Sequence, residues 1–518
     1  LNVSVKINAK IFKKLIAVNF WNYHKYNYLT IRLICISHLK PFHMLLDLKQ
    51  SNVSLDPKFG PMLSNLQANI LKGHGRNFAF HLFFSFDRTK VVEIKSWIAA
   101  FSEKIKSAEE QIQDNSNYKK SGIDGGVLNT LSLSAHGFDV LGLKKPTASN
   151  SFLNGMRADQ DALGDDPTKY TAGINDEASP VDMMILVADD NLDVAQRSAD
   201  LITTDVTKFS ILLLSQKGKV LKKKDAIGGG IEHFGYADGI SQPLYFADEI
   251  KERSTIEWDD KTDLERVLVK DGPEEADSYG SYLVFRKLEQ NVKGFKDAEG
   301  DNDGAPFVVT EVIDENGKSS ASLGGAMLVG RHEDGTPLVK SSLENLKPQV
   351  VNDFDYRHDE ANVSKCPFHS HIRIMNPRNG DDPNKDFTKQ RITRRGIPYE
   401  DFDRFGKDVI EITDDMLETK QPECGVGLLF MCYQSNIDTQ FLILQKIWAN
   451  AGNIQGHILG AEDSIIGQQA NVTPKRLPKK WGEEPLSDKE FVFPQFVTNR
   501  GGEYLFTPSK LFLQNING

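Results

Sequence analysis

Gly235-Tyr236-Ala237-Asp238-Gly239-Ile240-Ser241-Gln242-Pro243 sets one carboxylate between two glycines and closes on a proline. Glycine lets a backbone bend sharply and approach a neighbour or a bound ligand closely. An aspartate in such a loop is ordinarily a cap or an Asx-turn residue. Three stretches downstream change that reading: Cys366-Pro367-Phe368-His369-Ser370-His371-Ile372-Arg373-Ile374-Met375-Asn376-Pro377-Arg378, then Arg391-Ile392-Thr393-Arg394-Arg395-Gly396-Ile397-Pro398-Tyr399, then Gly427-Leu428-Leu429-Phe430-Met431-Cys432-Tyr433-Gln434. Each places polar or crowding side chains beside a turn or on an apparent strand.

Taken in order, the four stretches resemble the motifs of the dye-decolorizing peroxidases, in which the aspartate of Gly-x-x-Asp-Gly stands over a haem. The likeness runs from Leu66-Gln67-Ala68-Asn69-Ile70-Leu71-Lys72-Gly73-His74-Gly75-Arg76 to near the C-terminus and is strongest toward the long fungal-type members. The resemblance implies His371 as proximal ligand of the haem iron, Arg394 as distal arginine, and Leu428 and Phe430 as distal-pocket residues on one face of a strand. It implies one haem b per chain. Asp463, in Gly460-Ala461-Glu462-Asp463-Ser464, resembles the segment that holds the other nitrogen of the proximal histidine, with Asp438 as its competitor. Arg373 and Arg378 are candidates for the haem propionates, because guanidinium binds carboxylate bidentately.

The chemistry stands beside the resemblance. Cleaving peroxide needs a base that takes a proton from one oxygen and returns it to the other, and a fixed cation for the developing charge. Asp238 and Arg394 offer both. Two rival functions remain. His369-x-His371 on a strand would point both imidazoles one way, a spacing that suits zinc and a metal-dependent hydrolase. Only His457 follows as a further histidine, and the cysteines form no Cys-x-x-Cys pair. A non-catalytic haem-binding protein would keep His371 but has no need of Asp238 with Arg394.

The 518 residues suffice for about two to four domains. A formal charge of −10 argues against a nucleic-acid partner. No apolar run approaches the roughly 20 residues of a membrane span. Gly228-Gly229-Gly230 lacks the Lys-Ser/Thr of a phosphate loop and reads as a turn feeding the aspartate loop. The cysteines at 35, 366, 424 and 432 are too scattered for a disulfide framework. Residues 1–43 carry Lys6, Lys10, Lys13, Lys14, Lys25, Arg32 and Lys40 and no acidic residue, and the first methionine is Met44. They read as a gene-model extension or disordered tail, without the pattern of a secretory signal. The resemblance implies an extracellular enzyme; that tail leaves the compartment open.

Strands are expected at residues 79–86, 127–133, 183–188, 281–286 and 426–433, with helices at 91–108, 194–203 and 442–449. Strand–helix–strand units in two halves predict an α+β fold with antiparallel sheets covered by helices. The resemblance makes these two duplicated ferredoxin-like domains of the dimeric α+β barrel type, 44–240 and 241–518, with haem mainly in the second. The aspartate loop then lies near their junction, where binding sites commonly form. Asp353, Asp355, Asp359 and Glu360 form an acidic cluster, read as solvated loop in preference to a manganese site. The partners expected are hydrogen peroxide and aromatic reductants, bulky dyes and phenols among them. Trp448, on the helix after the pocket strand, is the preferred relay for electrons from dyes oxidised at the surface, ahead of Trp258, Trp481 and Tyr399; simple packing is the ordinary use of a tryptophan.

Overall fold

The computed structural model describes residues 46–518 apart from short segments, the longest being 253–261, 300–311, 345–353 and 379–386. The leading tail, Trp258, Asp353 and Glu360 therefore lie outside the described residues.

Eight long strands carry the fold: β1 (Phe78–Phe86), β2 (Leu128–Ser134), β3 (Met183–Asp189), β4 (Ser210–Lys219), β5 (Tyr279–Gln290), β6 (Ile397–Glu400), β7 (Val426–Gln434) and β8 (Val497–Thr507). Their order across one antiparallel sheet is β6-β7-β5-β8-β2-β3-β1-β4. Each half therefore has its fourth, first, third and second strand side by side, which is the ferredoxin-like arrangement, made twice. The halves join where Leu505 of β8 lies opposite Ser134 of β2. At the other end, β4 meets β6: Gly218 packs under Ile397, and Lys219 Nζ reaches Glu400 Oε2 at 2.8 Å. The sheet thereby closes on itself.

Side chains alternate across this sheet with period two. Ala79, Phe83, Met184 and Leu186 from the first half share one core with Leu283, Phe285, Leu429 and Met431 from the second. The opposite face of the first half lies under helices α1 (Val91–Phe101) and α3 (Leu192–Val206), whose Ile94, Ile98, Ala195, Ala199 and Ile202 are buried. The single helix expected over 91–108 ends at Phe101, and a second, α2 (Ala108–Ser121), starts afresh from a capping box of Ser107 and Glu110. β4, β6 and β8 were not anticipated. Gly218 in β4 and Gly501-Gly502 in β8 interrupt the apolar alternation by which strands are recognised.

One secondary-structure expectation is overturned at the site. His369 and His371 do not share a strand: His369 is in a turn, and His371 opens helix α5 (His371–Met375) after Ser370 bonds back to Pro367. Proline, which lacks an N–H and fixes φ, suits a turn. Among the described residues no helix is long and apolar enough to cross a membrane.

The Lys219–Glu400 pair is 1% and 2% exposed and links the two halves. Glu400→Ala leaves a buried ammonium with only the Gly406 carbonyl. It should lower the unfolding free energy by roughly 3–5 kcal/mol, read from the midpoint of a urea titration; replacing both partners with apolar residues should cost far less.

Candidate active site

On β5 and β7 the side chains that turn away from the shared core line a cavity open to solvent at its mouth: Arg286, Leu288 and Gln290 from one strand, Leu428 and Phe430 from the other. Its remaining walls come from the Glu232–Pro243 loop, from Arg331 and Arg394, from α5, and from the turn Leu444–Trp448.

The aspartate loop is held by its backbone. Ala237 N donates to the Glu333 carbonyl and Asp238 N to the Gly230 carbonyl, each at 2.9 Å. Gly235 and Gly239 stand at φ 99° and 77°, values that side-chain-bearing residues rarely adopt. Arg394 sits on a two-residue strand opposite Cys432 of β7, and its own N–H donates to Gln242 of the loop. Its guanidinium donates to the Ile240 carbonyl at 3.1 Å and to Asp238 Oδ1 at 3.4 Å. Both side chains stay about a third exposed (33% and 31%), so the pair is anchored yet open to the cavity.

His371 enters the same cavity. Its Nδ1 donates to Asp463 Oδ2 at 2.8 Å, and the other carboxylate oxygen of Asp463 accepts from the Ile465 and Ile466 N–H groups. Asp463 is fully buried and thus fixes the ring, leaving Nε2 as the nitrogen free to bind. Asp438 is occupied elsewhere, accepting from the N–H groups of Asn150 and Ser151. His369 is buried away from the cavity, and burial pulls it down to about 3. Among the described residues, no three His, Cys, Asp or Glu side chains could hold a metal ion together.

The expected propionate arginines divide. Arg373 faces away from the cavity, paired with Asp359 at 2.8 Å and lying over the Tyr356 and Phe368 rings, so its charge is already matched. The same pair draws Asp359 out of the acidic cluster. Arg378 lies 3.7 Å above the Phe354 ring and donates to the Phe354 carbonyl and to Ser241 Oγ. Arg331, which sequence reasoning missed, lines the cavity and donates to the same Ser241 hydroxyl at 3.1 Å. Its only signal was its place in Gly330-Arg331-His332, directly after helix α4 (Ala321–Val329). Burial pulls Arg331 to about 10 and Arg378 to about 9, a cost that a carboxylate at this edge would offset.

Trp448 is 2% exposed and lines the cavity against Phe387, on a turn wound as a π-helix. It offers no surface to a dye, which corrects its assignment as a surface relay. Trp481 is tied to the Leu338 carbonyl and Tyr399 is buried in the barrel.

A histidine oriented by a buried carboxylate, a cationic edge and an apolar slot suit an iron porphyrin with acidic side chains. A carboxylate–arginine pair open to the same slot suits peroxide. The fold and this site together define a haem peroxidase built on a duplicated α+β barrel.

Residues 65–220 match the DyP dimeric alpha+beta barrel domain, and residues 254–460 the Dyp-type peroxidase C-terminal family. The chain is 35% identical to a multifunctional dye peroxidase of Amycolatopsis over 88% of this chain and 96% of that protein. It superposes on the crystal structure of a DyP-type peroxidase from Anabaena with a TM-score of 0.79, at 34% identity, covering 92% and 99% of the two chains. Fungal likeness is present at lower identity: 27% to a peroxidase of Mycetinis scorodonius, over 88% of each chain. The chain belongs to the DyP-type peroxidases, and it is a haem-dependent oxidoreductase.

Glu232 also escaped sequence reasoning. It lines the cavity, accepts from the N–H groups of Phe234 and Tyr236, and is pushed up from 4.5 to about 7 by burial, with nearby Asp238 adding to the shift. Its protonation therefore contributes stability that is fully present below about 4.5 and is lost as pH rises through about 7. Urea midpoints measured across that window should fall with pH in the native protein, and Glu232→Gln should flatten the slope.

Proposed function

We propose that this peroxidase works through Asp238 as the proton-transfer group and Arg394 as the fixed charge, with one haem b per chain held by His371. The observation that carries this reading is the Asp238–Arg394 pair opening onto the cavity that His371 enters. Asp238 takes a proton from the nearer peroxide oxygen and returns it to the departing one. Arg394 offers N–H groups to the charge that develops as the oxygens separate, in a cavity where low dielectric strengthens the interaction. Asp463 holds the His371 ring in one tautomer and raises its basicity through the Nδ1 hydrogen bond. Arg331 and Arg378, joined through Ser241, hold the haem carboxylates. Haem, when bound, supplies the iron at which peroxide is reduced by two electrons and from which aromatic donors are oxidised one electron at a time.

Leu428 and Phe430 crowd the distal wall, leaving room for peroxide beside Asp238 but little for a large donor. Dyes, phenols and other aromatic compounds are the reductants this reading assigns. Support comes from the dye peroxidase among its relatives and from a solved relative, 26% identical, in complex with 2,6-dimethoxyphenol.

Stopped-flow mixing with peroxide tests the distal pair. Asp238→Asn should retain haem and slow the reaction by roughly 10²–10⁴-fold, because an amide cannot accept the proton. Arg394→Leu should slow it by about 10²–10³-fold. Unchanged rates in both variants would remove the pair from the mechanism. Purified His371→Ala should lose its Soret absorbance, whereas His369→Ala, whose ring is outside the cavity, should keep it.

A further inference from the structure

Peroxide reduction leaves two oxidising equivalents in the site, and the donors assigned above are too large for its distal side. Tyr236 lines the cavity, two residues before Asp238, yet has no part in the proton transfer to peroxide. Its hydroxyl points out of the cavity and donates to the buried carboxylate of Glu299. Glu299 is held by Lys296 at 2.7 Å, which also binds Glu333 at 2.5 Å. Glu333 in turn lies 3.9 Å from Lys223, whose nearest partner, Asp414 at 2.6 Å, is 66% exposed; Asp225 lies 4.0 Å from the same ammonium. A chain of contacting charges thus runs from the cavity wall to solvent.

The contact between Tyr236 and Glu299 depends on Gly325, in the middle of α4. A methyl group there would collide with both the tyrosine hydroxyl and the carboxylate. Glycine in the middle of a helix is destabilising relative to alanine; here it makes room for this hydrogen bond.

We propose that Tyr236 is a redox-active residue of this enzyme, giving an electron to the oxidised site while its phenolic proton passes to Glu299. This rests on the peroxidase reading above. The step balances: phenol and carboxylate become a neutral phenoxyl radical and a carboxylic acid, and the electron consumes one of the two equivalents left by peroxide. A donor then supplies one electron, Glu299 returns the proton, and the phenol is restored. Burial and the surrounding carboxylates hold the phenol well above its ordinary value, so it does not lose its proton before the electron leaves. Burial also pushes Glu299 up to about 7, which makes it a better acceptor than an ordinary carboxylate.

The test is rapid-freeze electron paramagnetic resonance of the haem-loaded protein after one equivalent of peroxide and no donor. Ring-deuterated tyrosine identifies the radical, and the haem band of the same sample reports separately that peroxide was reduced. Wild type should show a tyrosyl signal, and Tyr236→Phe should lose it while still reducing peroxide. Glu299→Gln should slow its appearance and abolish the solvent deuterium effect. Radical trapping in wild type followed by peptide mapping should mark Tyr236, a result that needs no variant to fold. A signal undiminished in Tyr236→Phe, a Glu299→Gln variant with unchanged kinetics and isotope effect, or an adduct on a different tyrosine would each overturn the inference, even where normal peroxide reduction upholds the site.

Discussion

Strand alternation is the constraint on which the rest of this molecule depends. Leu429 and Met431 of β7 point into the barrel, so Leu428 and Phe430, their immediate neighbours, must point out of it. The same rule on β5 buries Leu283 and Phe285 while directing Arg286, Leu288 and Gln290 into the cavity. A slip of one residue in either strand would exchange the barrel core with the cavity wall. The pairing of Leu428 with Leu288 and of Phe430 with Arg286 fixes that register, and with it the cavity surface next to Asp238 and Arg394.

Electrostatics then divides the labour inside the cavity. At His371, a fully buried carboxylate is satisfied by one imidazole and two backbone N–H groups, so the two backbone donors hold it in place against the ring. At the Ser241 edge, two buried guanidinium groups converge on one hydroxyl. Asp238 and Arg394 are the exception. Their separation of 3.4 Å and partial exposure leave lone pairs and N–H groups available to a small molecule. A tighter, drier pair would be more static and less available to peroxide.

Much of the site was legible in the chain. Asp238, His371, Arg394 and Asp463 stand in short motifs, because a loop that must hold one side chain against a backbone needs glycines and turn residues at fixed spacing. The two-half architecture was legible through the apolar runs of β1, β3 and β7. Arg331 and Glu232 were not, because each acts through a contact across the fold, Arg331 to Ser241 and Glu232 to Gln290, that no local pattern encodes. Trp448 was misread for a related reason: periodicity places it on a helix, but whether the indole faces solvent or the cavity is a packing outcome.

By itself, then, the sequence determined the candidate residues of the site and an α+β chain with antiparallel sheets, since side-chain pattern and turn chemistry act over a few residues; the duplication entered through the family resemblance. The tertiary structure alone decided which charges are already matched. Arg373 and Arg378 look alike in one dimension, separated by five positions; Asp359 neutralises the first, while the second reaches Ser241 beside the cavity. Where a guanidinium is directed depends on what lies within a few ångströms in space, and the long-range sheet pairing sets that distance.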